Sequence, residues 1–214
     1  MLETLFENNK KWAAKMLKRD PHFFEGLQKQ QTPEYFWIGC SDSRVPANDI
    51  LNLQPGEVFV QRNVANQVVH SDMNCLTALQ FAVDVLKVKH VIVCGHYSCG
   101  GVQAALGRER HGLVDNWLLH VRDTMDKHEA ALSKIDNEHD KLDRLCEINV
   151  VEQVKNICNT MTIEDAWGRG QEVLVHGLLY SIKDGHLRDL ELTITNSAEK
   201  EANYLKAVNK VFSK

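Results

Sequence analysis

Two short apolar runs in this chain end in the same way. "YFWIG" stops at Cys40 and continues as "CSDSRVP", and "HVIVCG" stops at His96 and continues as "HYSCGG". The second run is apolar without interruption, which suits a strand of a parallel sheet covered on both faces. "EVFVQRNVAN" reads as a further strand entering a polar turn, and "CLTALQFAVDVLKV" as a well-buried helix. Residues 113–133 and 149–167 have helical periodicity, with the charged stretch "KIDNEHDKLDR" expected as a solvated connection between them. "EVLVHGLLYSIKDGHLRDLELTIT" holds two strands around Lys183-Asp184-Gly185-His186, and Asp-Gly there predicts a hairpin. Residues 2–30 read as one or two amphipathic helices broken at Asp20-Pro21, and Pro33 closes the segment. The expected fold is α/β. It has a mainly parallel central sheet flanked by helices, an antiparallel C-terminal edge hairpin and an N-terminal helical arm over residues 1–32, all in one domain spanning residues 1–214.

Composition narrows the chemistry. A net charge of −4 and a pI near 6.2 leave no electrostatic footprint for nucleic acid. No apolar run approaches the length of a membrane-spanning helix, and the first residues, "MLETLFENNKK", do not read as a signal peptide, so a cytoplasmic location is expected. Six cysteines without a secretion signal then point to metal binding, catalysis or burial rather than to a disulfide framework. Cys75 and Cys158 fall in helical patterns, Cys94 inside a strand and Cys146 near an expected helix start, where thiols pack as small apolar groups. Cys40 and Cys99 each follow a strand and sit among polar or glycine residues.

Ligands in an open parallel sheet gather beyond the carboxyl ends of strands, at a topological switch point. The two strand ends above offer Cys40, Asp42, His96 and Cys99. Two thiolates and an imidazole form a Cys2His set that suits tetrahedral zinc, with water or Asp42 left for the fourth position; an exchangeable position marks a catalytic rather than a structural metal. Such a set brings Zn²⁺ to formal neutrality, so water there is polarised less than at a three-histidine site and needs help. Asp42 and Arg44, two apart, can give it: paired with Arg44, Asp42 stays ionised and accepts a hydrogen bond from the attacking oxygen, and without Arg44 it turns more readily onto the metal. Gly100 and Gly101 open a helical stretch, "GVQAALGRE", whose first N–H groups can meet an anion. The nucleotide fingerprint of a Cys2His dehydrogenase and the H-x-E and P-C-x-x-C signatures of a nucleobase deaminase are both missing.

"CSDSRVP", "FVQRNVAN", "AVDVLKVKHVIVCGH" and "GHYSCGG" together resemble the β-class carbonic anhydrases, bacterial members in particular, over nearly the whole chain. The resemblance implies reversible hydration of CO2 to bicarbonate and a proton by zinc-bound hydroxide. One Zn²⁺ per chain would be held by Cys40, His96 and Cys99, with Asp42 and Arg44 as the catalytic dyad. It implies a homodimer, and a tetramer built as a dimer of dimers, in which the N-terminal helices embrace the neighbour. Gln31, Val64, Phe81 and Gly100 would line the CO2 pocket, Phe81 standing where many members carry tyrosine. It also implies the pH-switched subset of the family. There the counterpart of Asp42 ligates zinc at low pH, and bicarbonate stabilises that form from a separate pocket, here Trp37, Val45, Arg62 and Tyr180. None of the remaining histidines has a spacing that marks it as a proton shuttle.

Overall fold

Strand β3, His90–His96, is buried from Val91 onward, and successive residues feed two different cores. Val91 and Val93 enter the larger one, and Ile92 and Cys94 the smaller. This is the continuous apolar pattern of a strand covered on both sides. In the computed structural model, which describes residues 2–29, 31–107 and 109–213, β3 lies at the centre of a five-stranded sheet. The strand order is β2-β1-β3-β4-β5, with β1 at Tyr35–Cys40, β2 at Val58–Asn63, β4 at Leu174–Ser181 and β5 at His186–Ile194. All neighbours are parallel except β4 and β5, which form the expected antiparallel hairpin at the edge.

The helices run in chain order as α1 (Leu2–Arg19), α2 (Phe23–Lys29), α3 (Ala47–Leu51), α4 (Met73–Gln80), α5 (Gly100–Leu106), α6 (Val114–Lys127), α7 (Glu129–Leu132), α8 (Glu138–Cys158), α9 (Met161–Gly168) and α10 (Lys200–Phe212). Helices α1 and α2 match the expected break at Asp20-Pro21. Gln30, at the end of the expected arm helices, and Arg108, in the stretch after the glycines, lie outside the described residues. None of the described helices is long and apolar enough to cross a membrane.

One expectation needs correction, and two gain a break. The stretch "KIDNEHDKLDR" is not a solvated connection throughout, because α8 begins inside it at Glu138. The Asn137 side chain caps that start by accepting from the His139 and Asp140 N–H groups at 2.9 and 3.1 Å. The charges occupy the first turn and outer face, while Leu142 and Leu145 already point inward. The helical stretch expected over 149–167 is helical but belongs to two helices, α8 ending at Cys158 and α9 restarting after Thr160, whose hydroxyl caps it. Likewise 113–133 divides at His128, where φ is −111° and helical geometry is lost. Helix α10, which places Tyr204, Ala207 and Val211 in the core, was not expected.

Helix α8 is buried on nearly all sides and packs on β3 and β4. It comes so close at Gly95 that a Cβ there would meet Val150 Cγ2 at 2.6 Å. Forcing a methyl into that contact costs about 1–3 kcal/mol. Two residues beyond Val150 the carboxylate of Glu152 joins three helices. It accepts from Lys127 Nζ at 2.6 Å, His128 Nε2 at 2.7 Å and Tyr204 Oη at 2.6 Å. Burial opposes its ionisation, but those donors outweigh burial and bring its pKa down to about 2.

Candidate metal centre

Strands β1 and β3 are adjacent and parallel, with Gly39 level with Cys94, so Cys40 and His96 emerge at the same edge of the sheet. The chain leaves β1 toward β2 on one side and returns as β3 on the other, which makes this edge the switch point of the topology. After His96 the backbone turns sharply through Ser98, at φ 56°, and brings Cys99 back beside the strand end. Cys40, His96 and Cys99 are all buried, and their ligand atoms lie within 4.8 Å of one another.

The arrangement fits zinc. Two sulfurs at about 2.3 Å from a tetrahedral zinc stand roughly 3.8 Å apart, and Cys40 Sγ and Cys99 Sγ are separated by 3.8 Å. His96 Nδ1 donates to the Tyr97 carbonyl at 3.0 Å, which fixes the tautomer with the lone pair on Nε2. That Nε2 is buried and has no hydrogen-bond partner. A buried acceptor left alone is costly, and a cation between it and the sulfurs removes the cost. As a pair, the two thiols share one proton. The Cys99 thiol donates to Cys40, and this outweighs burial and lowers Cys40 to about 4. The same bond, together with burial, pushes Cys99 up. His96 and the backbone N–H groups of Asp42 and Ala65 lower Cys40 further.

Asp42 and Arg44 form the pair read from the sequence. Arg44 donates from its backbone N and Nε to Asp42 Oδ1, each at 2.9 Å, and from Nη2 to Oδ2 at 2.7 Å. These bonds hold the Asp42 carboxyl well below the usual carboxylate range, against the opposing effect of burial. Asp42 Oδ2 stands 3.8 Å from His96 Nε2, at the rim of the ligand group.

The remaining site residues divide by position. Val64 follows β2 in a tight turn, and Gly100 opens α5 with nothing within 4 Å of where a Cβ would stand. Val64 also lines a cavity of about 550 Å³ with Ser41, Asn63, Asp72, Val114 and Trp117. Phe81 is not brought to the ligands within one chain. Its ring packs on Phe59 at 5.8 Å between centroids, and Phe59 lies four residues before the end of β2. At about 3.3 Å per residue that is roughly 13 Å below the ligand edge. Gln31 precedes β1 and lies exposed at the same lower end. The helix carrying Phe81 also widens there: Leu86 N donates to Phe81 O, a five-residue turn that periodicity did not predict.

Trp37 and Val45 are fully buried in the smaller core, and Tyr180 packs against it. The indole lies over Gly39, where a Cβ would meet Trp37 Nε1 at 2.3 Å. Its N–H is buried without a partner. Arg62 spans the neighbouring carbonyls, donating from Nε to Cys40 O at 2.8 Å and from Nη2 to Asp42 O at 2.5 Å. It therefore braces the very loop that carries the first ligand and the dyad. Two contacts escaped the sequence reading. The Tyr97 carbonyl that sets the His96 tautomer could have been suspected from its adjacency, whereas no local signal marks the Ala65 N–H.

The sequence profile described as carbonic anhydrase matches residues 35–187. A carbonic anhydrase of Emericella nidulans is 44% identical over 190 residues, covering 89% of this chain and 83% of the relative. One from Saccharomyces cerevisiae is 36% identical over 195 residues and covers 87% of each. Among solved structures, the Coccomyxa β-carbonic anhydrase in complex with acetazolamide superposes with a TM-score of 0.90 at 41% identity, covering 94% of this chain and 91% of that one. A tetrameric β-carbonic anhydrase of Sordaria macrospora gives 0.85 at 39% identity, covering 91% and 98%. The matched stretch runs from the first residue of β1 into β5 and contains both ligand-bearing strand ends; the chain belongs to the β-class carbonic anhydrase family.

Proposed function

We propose that this chain hydrates CO2 reversibly with one zinc held by Cys40, His96 and Cys99, and with Asp42 and Arg44 working beside it. The observation that carries the reading is the bare His96 Nε2 facing two close sulfurs, with an ionised carboxylate 3.8 Å away. Bound zinc supplies the Lewis acidity that lets water act as a nucleophile near neutral pH. Asp42, held by three bonds from Arg44, is an acceptor that orients the attacking water and keeps its proton side fixed. Arg44 also restrains the carboxylate from swinging toward the ligands. Val64 supplies an apolar wall, and the open space at Gly100 leaves room for the substrate. Stopped-flow CO2 hydration on zinc-replete protein, with CS2 and COS assayed beside it, tests the assignment. A zinc-loaded chain with no CO2 turnover at about pH 9 would sink it.

The reading extends to assembly. Gln31 and Phe81 lie at the wrong end of their own sheet to reach their own ligands, so in a dimer they serve the neighbour's pocket. Helix α1 has no buried residue, and its Phe6 is 64% exposed and Trp12 43% exposed. An apolar face of that size calls for a partner, and a second copy embraced by the arm, paired again into a tetramer, supplies it. The tetrameric Sordaria macrospora enzyme supports the same assembly. Changing Leu5, Phe6 and Trp12 together to serine is expected to shift sedimentation from the oligomer to the monomer and to abolish most activity. An unchanged oligomer would refute the role of the arm.

Trp37, Val45, Arg62 and Tyr180 are read as a regulatory bicarbonate pocket. The unpartnered Trp37 N–H supports it, as does the grip of Arg62 on the Asp42 carbonyl. Bicarbonate that draws Arg62 away would loosen the dyad loop, free Asp42 to approach the metal and close the site. Bound bicarbonate and the open site then oppose one another, and activity falls sigmoidally below about pH 8. Trp37→Phe keeps the ring but deletes the donor, so it is expected to flatten that profile. A wild-type profile that is already flat down to about pH 7 would rule the switch out.

A further inference from the structure

Asn149, Gln153 and Asn156 lie at i, i+4 and i+7 on α8, a stripe of amide side chains on one face of a largely buried helix. The stripe faces the chain leaving β2. Asn149 Nδ2 donates to the Ala65 carbonyl at 3.0 Å. Asn149 Oδ1 accepts from Gln67 Nε2 at 2.8 Å and from Gln153 Nε2 at 3.2 Å. Gln67 Nε2 reaches the same Ala65 carbonyl at 2.7 Å. Further along, Gln153 Oε1 accepts from the Val68 N–H at 2.8 Å, and Asn156 Nδ2 donates to the Val68 carbonyl at 3.0 Å.

The segment gripped in this way adopts a conformation it would not choose alone. Ala65 has φ 62° and Asn66 φ 48°, two consecutive left-handed residues, each with a Cβ that disfavours the geometry. Strained backbone persists where its surroundings over-determine it, and here the surroundings are buried side-chain amides. The consequence of the turn lies at the metal centre. The turn packs against the start of α5, two residues after Cys99, so closely that a Cβ at Gly101 would meet Val64 Cγ1 at 2.8 Å and Ala65 Cβ at 3.3 Å, and Ser41 N donates to the Asn63 carbonyl before it at 2.9 Å. It also sets Val64 at the rim of the neighbouring cavity, its carbonyl pinned by Trp117 Nε1 at 2.8 Å.

We propose that Asn149 and Gln153 are positioning residues for the metal centre: by holding the left-handed Ala65–Asn66 turn against the segments that carry Cys40 and Cys99 they set how tightly the Cys2His group grips zinc. This rests on the reading of Cys40, His96 and Cys99 as the zinc ligands. Groups that surround and orient metal ligands tune metal affinity, and their loss typically costs about 10–100-fold.

The test compares full-length wild type, Asn149→Ala, Gln153→Ala, Ala65→Gly and the double variant Asn149→Ala with Ala65→Gly. Zinc affinity is read by competition with a chelator, and the ligand field by the visible spectrum of the cobalt-substituted protein. Asn149→Ala is expected to lose about 10–100-fold in zinc affinity and to shift the cobalt spectrum, and Gln153→Ala to do the same more weakly. Glycine adopts the left-handed turn without help, so Ala65→Gly should restore most of the loss in the double variant. If Asn149→Ala does not fold, Gln153→Ala and its pairing with Ala65→Gly carry the same comparison. A lowered melting temperature with affinity and cobalt spectrum unchanged, or a loss that Ala65→Gly fails to restore, overturns the positioning role. A wild-type chain that takes up no zinc overturns the ligand assignment beneath it instead.

Discussion

Cys99→Ser is expected to empty the metal centre, taking zinc from one per chain to a small fraction and CO2 hydration down by on the order of a thousandfold or more. The effect is large because no neighbouring ligand stands ready to substitute. Among the described residues the one group of metal-ligand type is Cys40, His96 and Cys99. The serine oxygen is harder and far less acidic than a thiol, so it makes a poor replacement for a thiolate at a zinc that already has only three protein ligands. Asp42 is the nearest carboxylate, but Arg44 engages both of its oxygens. Metal analysis of the purified variant beside stopped-flow rates checks the result. A Cys99→Ser chain that still carries one zinc would mean that the metal sits elsewhere.

Asp42→Asn should separate metal from catalysis. Zinc stays, while the rate falls by about 10²–10⁴, the range of a positioned proton acceptor. Asparagine cannot remain an acceptor at both oxygens. Arg44 donates to both carboxylate positions, so the amide NH2 meets an Arg44 N–H whichever way the side chain is turned. The electrostatic sign is definite. The Arg44 bonds depress the folded pKa of Asp42, so its ionised form is favoured in the folded chain at every pH above the ordinary carboxylate range. That stabilisation is lost only as pH falls through the depressed value. Loss of activity near neutral pH therefore cannot come from protonating Asp42 in this arrangement; the carboxylate would have to change partner while still charged. Equal rates for Asp42→Asn and wild type at full zinc occupancy would remove the dyad role.

The candidate ligand set was legible because each half of it is local. A strand signal, a turn residue and a soft ligand fall within a few residues at Cys40 and again at His96 and Cys99, and the sheet rule says where such ends meet. Arg44 was legible for the same reason, being two residues from Asp42. The start of α8 was hidden because its first turn carries the charges of "KIDNEHDKLDR", which look like solvent-facing loop until Asn137 is recognised as a cap. Helix α10 has a readable apolar spacing at Tyr204, Ala207 and Val211 that went unused. The amide stripe of α8 is different in kind. Its spacing is visible in "NVVEQVKN", but its partner Ala65 is 84 residues away, and no window along the chain pairs the two. Nor does the composition around Ala65 announce a left-handed turn, since neither Ala65 nor Asn66 is a glycine.

The sheet order has a kinetic meaning as well. Cys40 and Cys99 are 59 residues apart in the chain and meet only across the β1–β3 pairing. A polypeptide still searching for that pairing offers a cation His96 and Cys99 alone, a bidentate fragment with modest hold. Loop closure over such a separation is an entropic cost met by strand pairing and burial, so a cation held by all three residues would act as a late lock on an assembled scaffold rather than as the seed around which it forms.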